Sequence, residues 1–140
     1  MKHRLFLDTN IMLDLLGERN PFYEPVAKIA TLADMDKIQI VASSLSYATV
    51  YFILSRFENP EKVKEKLRKF KVISEVSSVN QTIIEKGLNS GFRDFEDSLQ
   101  YFSALEADCT IIISRDTGDF REAEIPVMTS DEYLRSIKKK

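Results

Sequence analysis

Thr110-Ile111-Ile112-Ile113-Ser114-Arg115-Asp116-Thr117-Gly118-Asp119-Phe120 is the stretch on which the architecture turns. A run of β-branched apolar residues that stops at a polar corner reads as a strand buried on both faces, and such strands belong to parallel sheets covered by crossover helices. The same pattern stands upstream, where Leu5-Phe6-Leu7 is stopped by Asp8-Thr9-Asn10. Ile38 to Ala42, Val72-Ile73 and Pro126-Val127-Met128 supply further short strands. Helical spacing fills the intervals. A short helix from Ile11 to Leu16 is closed by Gly17, and a longer one runs from about Tyr23 to Met35. Ser46 to Phe57 shows a wide apolar face of Val50, Ile53, Leu54 and Phe57. Asn59-Pro60 opens a helix with Val63, Leu67 and Phe70 inward and a face of Lys62, Lys64, Lys66, Arg68, Lys69 and Lys71 outward. Asn80 to Leu88, closed by Gly91, is the next. Asp94 caps one with Phe95, Leu99, Phe102 and Leu105 buried, and Ser130 caps a last one with Tyr133, Leu134 and Ile137. Alternating strands and helices make an α/β three-layer sandwich, a central, mostly parallel sheet with helices on both faces. No linker or repeat divides residues 1–140, which read as a single domain.

Composition narrows the chemistry. The chain has 140 residues, 44% hydrophobic and 30% charged, enough apolar mass for a core. Twenty basic against 22 acidic residues leave −2, so the total charge points to neither nucleic acid nor a membrane surface. The lone Cys109 excludes a disulfide framework and a cysteine-rich zinc site and reads as a core thiol. The lone His3 excludes a site of two imidazoles and reads as solvated. There is no Gly-x-Ser-x-Gly elbow, Walker loop or Gly-x-Gly-x-x-Gly turn. No stretch approaches the ~20 apolar residues of a membrane span, and the start lacks a signal-peptide core, so a cytoplasmic protein is expected. Lys138-Lys139-Lys140 reads as a solvated end, and the lysine-rich helix face as a solvated one.

What remains is acidic. Asp8 follows the first strand, and Asp116 and Asp119 follow the strongest one, so two strands deliver carboxylates to one sheet edge, where ligands bind in open α/β sheets. Asp94 and Asp97, three apart, share one face of a helix's first turn. Clustered carboxylates repel one another unless a hard cation such as Mg²⁺ or Mn²⁺ joins them, and such a cation can activate water against a phosphodiester. Each acid also has a plain structural reading. Asp8 and Asp94 can cap helices, Asp97 can complement a helix dipole, and Asp116 and Asp119 can form a turn beside Gly118. Both readings stand on the residues alone. Met12, Leu16, Phe22 and Tyr23 divide between core and an exposed remainder suited to a partner.

Three motifs together resemble the PIN domain family: Phe6-Leu7-Asp8-Thr9-Asn10, Asp94-Phe95-Glu96-Asp97-Ser98-Leu99-Gln100, and Ile113-Ser114-Arg115-Asp116 with Asp119-Phe120. The likeness covers nearly the whole chain. It implies a PIN-like sandwich and a Mg²⁺- or Mn²⁺-dependent ribonuclease that hydrolyses RNA. It further implies the toxin of a toxin–antitoxin pair, with a small antitoxin partner and a homodimer. Asp8, Asp97 and Asp116 match the family's catalytic, metal-binding acids, and Asp119 matches a supporting acid that completes the metal set. Asp94 and Ser114 lie within the matching motifs as supporting residues. Thr9 and Asn10 match the polar residues after the first aspartate, with Asn10 expected to orient Asp8. The family's usual glutamate after the second strand is replaced by Thr49, and no Asp or Glu stands between Lys37 and Glu58. A hydroxyl offers a neutral oxygen where a carboxylate offers a charge, so the expected consequences are weaker cation binding and a preference for Mn²⁺. The alternative is a catalytically weakened PIN-like domain that binds RNA or protein. A small-molecule phosphohydrolase of the haloacid-dehalogenase type needs an acid where Asn10 stands.

Overall fold

A computed structural model describes residues 2–138, so Lys139 and Lys140 of the basic tail lie outside the described residues. The strands are β1 (Arg4–Leu7), β2 (Gln39–Ser43), β3 (Glu75–Ser77), β4 (Ile111–Ile113) and β5 (Val127–Met128). The helices are α1 (Thr9–Leu16), α2 (Tyr23–Asp34), α3 (Ser44–Leu54), α4 (Pro60–Val72), α5 (Gln81–Leu88), α6 (Phe95–Glu106) and α7 (Ser130–Lys138). Strand order is β3-β2-β1-β4-β5, and every pairing is parallel. Residues alternate along β1, so Leu5 and Leu7 enter one core with Ile40, Ala42 and Ile113, while Phe6 enters the other with Val41, Ile112 and Tyr101. The first core takes residues from α1 to α4 and α7, and the second from α6. Among the described residues no helix is long and apolar enough to cross a membrane.

Several expected details shift. α3 ends at Leu54, so Phe57 falls beyond the helix, loses its place on the apolar stripe and is exposed. Val72 is the last residue of α4 rather than a strand, and pairing begins at Glu75. A two-residue apolar run does not distinguish a helix end from a strand. α5 stops at Asn89, not Gly91. On α6 Phe95 and Leu105 are exposed, while Ser98, Gln100, Tyr101, Ser103 and Ala104 join Leu99 inside, because α5 and the sheet both pack against this helix. α7 is capped by Thr129 rather than Ser130. The Thr129 hydroxyl accepts from the Glu132 N–H at 3.1 Å, and the Glu132 carboxylate accepts from the Thr129 N–H at 2.8 Å. His3 is half-buried and bonded to the Tyr133 hydroxyl at 2.7 Å. Cys109 is buried, and burial pushes its thiol up to about 12, as expected of a core residue. The lysine face of α4 is exposed except at Lys66, which pairs with Glu58 at 2.7 Å and donates to the Leu16 carbonyl at 2.9 Å.

Candidate active site

The order of strand addition reverses between β1 and β4, the point in a doubly wound sheet where the crossover connections diverge and leave a crevice. Asp8 stands at the end of β1 and caps α1, its Oδ1 accepting from the Thr9 N–H at 2.9 Å. Its Oδ2 accepts from the Ser114 hydroxyl at 2.8 Å. Ser114, just past β4 and fully buried, also accepts the Asp116 N–H at 3.1 Å. Asp116 is exposed, and its Oδ2 accepts from the Asn10 amide at 3.0 Å. Asn10 therefore orients Asp116, while Asp8, which it was expected to orient, is held instead by the Thr9 N–H and the Ser114 hydroxyl.

Asp97 arrives on the first turn of α6. Asp94 caps that helix, its Oδ1 accepting the Asp97 N–H at 3.1 Å, so the capping reading of Asp94 is realised. Asp119 sits in the short turn Thr117–Phe120 beyond β4. Electrostatics join these elements. Burial first, then the charges of Asp94, Asp8, Asp119 and Glu96, push the Asp97 carboxyl up to about 7. Burial is also the main cause that pushes Asp8 up to about 6. The Ser114 and Thr9 bonds oppose it, and Asp116 and Glu96 add to it. Asp8, Asp94, Asp97, Asp116 and Asp119 thus share one neighbourhood. Glu96, which the sequence reading passed over as part of a motif, stands with them.

The donor set fits a hard divalent cation, since it is all carboxylate oxygen and its charges raise one another's proton affinity. Among the described residues no group of three His, Cys, Asp or Glu side chains stands close enough to hold a metal ion directly.

Thr9 does not face the acids. Its hydroxyl pairs with Ser46 at 2.7 Å and accepts from the Gln100 amide at 2.8 Å. Gln100 also donates to Ser46 at 2.6 Å and accepts from Ser43 at 2.5 Å. Ser43, Ser46 and Gln100 are each at most 1% exposed. This satisfied polar cluster ties α1, the β2–α3 junction and α6 together directly behind Asp8 and Asp97. Sequence reasoning missed it. The available signal was Ser43-x-x-Ser46, a capping pattern, and a glutamine among the inward residues of α6. It also missed Asp14, fully buried on α1, whose two oxygens accept from the Arg115 guanidinium at 2.9 and 3.2 Å. Thr49 spends its hydroxyl on the Leu45 carbonyl of its own helix at 3.1 Å.

Residues 4–118 match the family model described as the PIN domain. Ribonuclease VapC1 of Aquifex aeolicus (strain VF5) is 27% identical over 135 residues, covering 93% of this chain and 92% of that protein. A toxin-antitoxin complex from Klebsiella pneumoniae superposes with a TM-score of 0.66 at 20% identity, over 90% of this chain and 97% of the other. VapC20 of Mycobacterium tuberculosis, a sarcin-ricin loop cleaving toxin, superposes with a TM-score of 0.64 at 12% identity, over 84% and 95% of the two chains. These likenesses of structure agree with the sandwich read from the strand pattern.

Proposed function

The chain belongs to the PIN domain family, and from that premise we propose that it is a divalent-metal-dependent endoribonuclease, the toxin of a toxin–antitoxin pair. The observation that carries the reading is the hydrogen-bonded run through Ser114, whose hydroxyl donates to Asp8 and accepts the Asp116 N–H, so that two acids 108 positions apart stand at one sheet edge. The curated relative is itself a ribonuclease, and the Klebsiella structure is a toxin-antitoxin complex. Asp8, Asp97 and Asp116 are the residues assigned to the cation, with Asp119 beside them. A bound Mg²⁺ or Mn²⁺ would offset the clustered charge and make water a better nucleophile toward the RNA phosphodiester. The chain's own part is positioning. Ser114 and the Thr9 N–H hold the Asp8 carboxylate, Asn10 holds Asp116, and the Asp94 cap fixes the turn that carries Asp97. A small antitoxin and a second copy of the chain are the partners of this reading, and the cytoplasm, where RNA is available, is its place.

The test is cleavage of mixed RNAs with Mn²⁺, with Mg²⁺ and with EDTA. Cleavage by the wild type with either cation, absent with EDTA and lost in Asp8→Asn, supports the reading. A second reading, a weakened domain that binds RNA or protein, is favoured by Thr49, whose oxygen is committed to Leu45. Cleavage by Thr49→Glu but not by the wild type would select it.

A further inference from the structure

Beside the acid cluster lies a cavity of about 470 Å³, within the ~300–1,000 Å³ range of small-ligand sites. Its wall includes Pro21, Phe22 and Pro25 from the α1–α2 connection and the start of α2, Arg115 and Asp116 from the segment after β4, and Asp131 from α7. Of the four residues Met12, Leu16, Phe22 and Tyr23 near the N-terminus, only Phe22 stays substantially exposed, at 41%. The Arg115 guanidinium stands 4.1 Å from the centre of the Phe22 ring. Two bonds to buried Asp14 lock its plane and offset its charge. A planar cation already matched to a carboxylate, with acidic residues at the rim, makes a poor phosphate clamp. It makes a good stacking surface, since unpaired bases stack on aromatic rings and on guanidinium planes.

Resting on the ribonuclease reading, we propose that this cavity is a base subsite: an unpaired nucleobase next to the cleaved phosphodiester stacks against the Phe22–Arg115 pair. Adjacency to the chemistry is built in, because Asp116 belongs both to the acid cluster and to the cavity wall. The wall has the Asp116 and Asp131 carboxylates, which only accept when ionised, so it favours a base edge that offers amino donors. Adenine, cytosine and guanine carry an exocyclic amino group with two N–H donors, whereas uracil offers a single N3–H flanked by two carbonyls that the carboxylates repel. Specificity at this position is therefore against uracil.

The chain has no tryptophan, so Phe22→Trp places a single indole reporter on the stacking surface while keeping an aromatic plane. The probes are single-stranded octa-adenylate and octa-uridylate, titrated in EDTA so that no cleavage intervenes. Octa-adenylate should quench the Phe22→Trp emission and bind at least about fivefold tighter than octa-uridylate. Phe22→Ala, followed by anisotropy of labelled octa-adenylate, should bind at least about fivefold more weakly than the wild type, the lower end of base–aromatic stacking. The thermal melt of Phe22→Ala checks its fold. If that variant does not fold, the Phe22→Trp titration decides alone. An emission unmoved by saturating octa-adenylate, or equal binding by wild type and a folded Phe22→Ala, overturns the subsite. Quenching by a purified protein partner but by neither oligonucleotide overturns it equally and assigns the cavity to that partner. Mn²⁺-dependent cleavage by the wild type is scored separately, so loss of the subsite and loss of the ribonuclease reading give different results.

Discussion

Burial strips water from the Asp8 carboxyl, and the Ser114 hydroxyl and the Thr9 N–H replace only part of it. Its pKa rises from the ordinary 3.8 to about 6, and that of Asp97 to about 7. The folded state then binds protons that the unfolded chain has already released. The stabilising contribution is complete below pH ~4 and is lost as pH rises through the folded values. Metal-free protein should therefore melt at a higher temperature at pH 5 than at pH 8, other groups being equal. Asp8→Asn removes the titrating charge. About two pKa units correspond to at most about 3 kcal/mol, and weaker bonds to a neutral amide take back part, so a gain of about 1–2 kcal/mol at pH 8 is expected. No gain is expected at pH 4. Melts in EDTA at the two pH values check this, and an equal loss of stability at both would show that Asp8 is not under electrostatic stress. Mn²⁺ should raise the wild-type melting temperature at pH 8 and much less at pH 5, where protons compete for the same oxygens. Saturation at a hundredfold over Kd corresponds to about 2.7 kcal/mol. Asp8→Asn should lose most of that increment. Of these residues the acids were legible from strand ends and motif, whereas Ser114 as the partner of Asp8 was not. The two stand 106 positions apart, and only pairing of β1 with β4 brings them together.

α5 and α6 pack so closely at Gly87 that an added Cβ would lie 2.7 Å from Ser98 Oγ and 3.1 Å from Leu99. Gly87→Ala should cost about 1–3 kcal/mol despite alanine's better helix propensity, because the clash must be relieved at the start of the helix that carries Asp97. Denaturant titration would show a lowered midpoint with an unchanged slope, and a gain in stability would contradict the close approach. α6 also holds Gln100, whose carbonyl and amide satisfy Ser43, Ser46 and Thr9 in a fully buried cluster. Gln100→Leu keeps the volume and leaves those hydroxyls short of partners, a cost of about 2–3 kcal/mol. Loss of metal-dependent stabilisation should accompany it, since the cluster holds α1 and α6 in register behind the acids. The inward face of α6 is where the sequence misled most. Hydrophobic spacing selects Phe95 and Leu105, but a helix covered on two sides buries small polar residues wherever it approaches its neighbours. The lengths of α3 and α4 were misjudged by a few residues for a related reason. Phe57 and Val72 are apolar, yet they fall where the helix ends and exposure begins.

The sandwich as a whole was readable because apolar runs alternate with amphipathic stretches. The strand order was not, since parallel neighbours can be any pair joined by a crossover and nothing local distinguishes β2 from β4 as partners of β1. That order places Asp8 and Ser114 at the reversal point and so makes the site. It also has a kinetic consequence. Asp8 meets Ser114, Asn10 meets Asp116 and Thr9 meets Gln100 across 106, 106 and 91 positions, so none of these bonds forms within a local segment. Contacts of such sequence separation are made late and slowly, because a long loop must close before any of them contributes. In refolding followed by stopped flow, helical signal should appear well before Mn²⁺-binding competence, which should arrive with the slowest phase. A chain emerging from the ribosome carries Asp8 from the start, yet it has no assembled acid cluster until the fourth strand has been synthesised and docked beside the first.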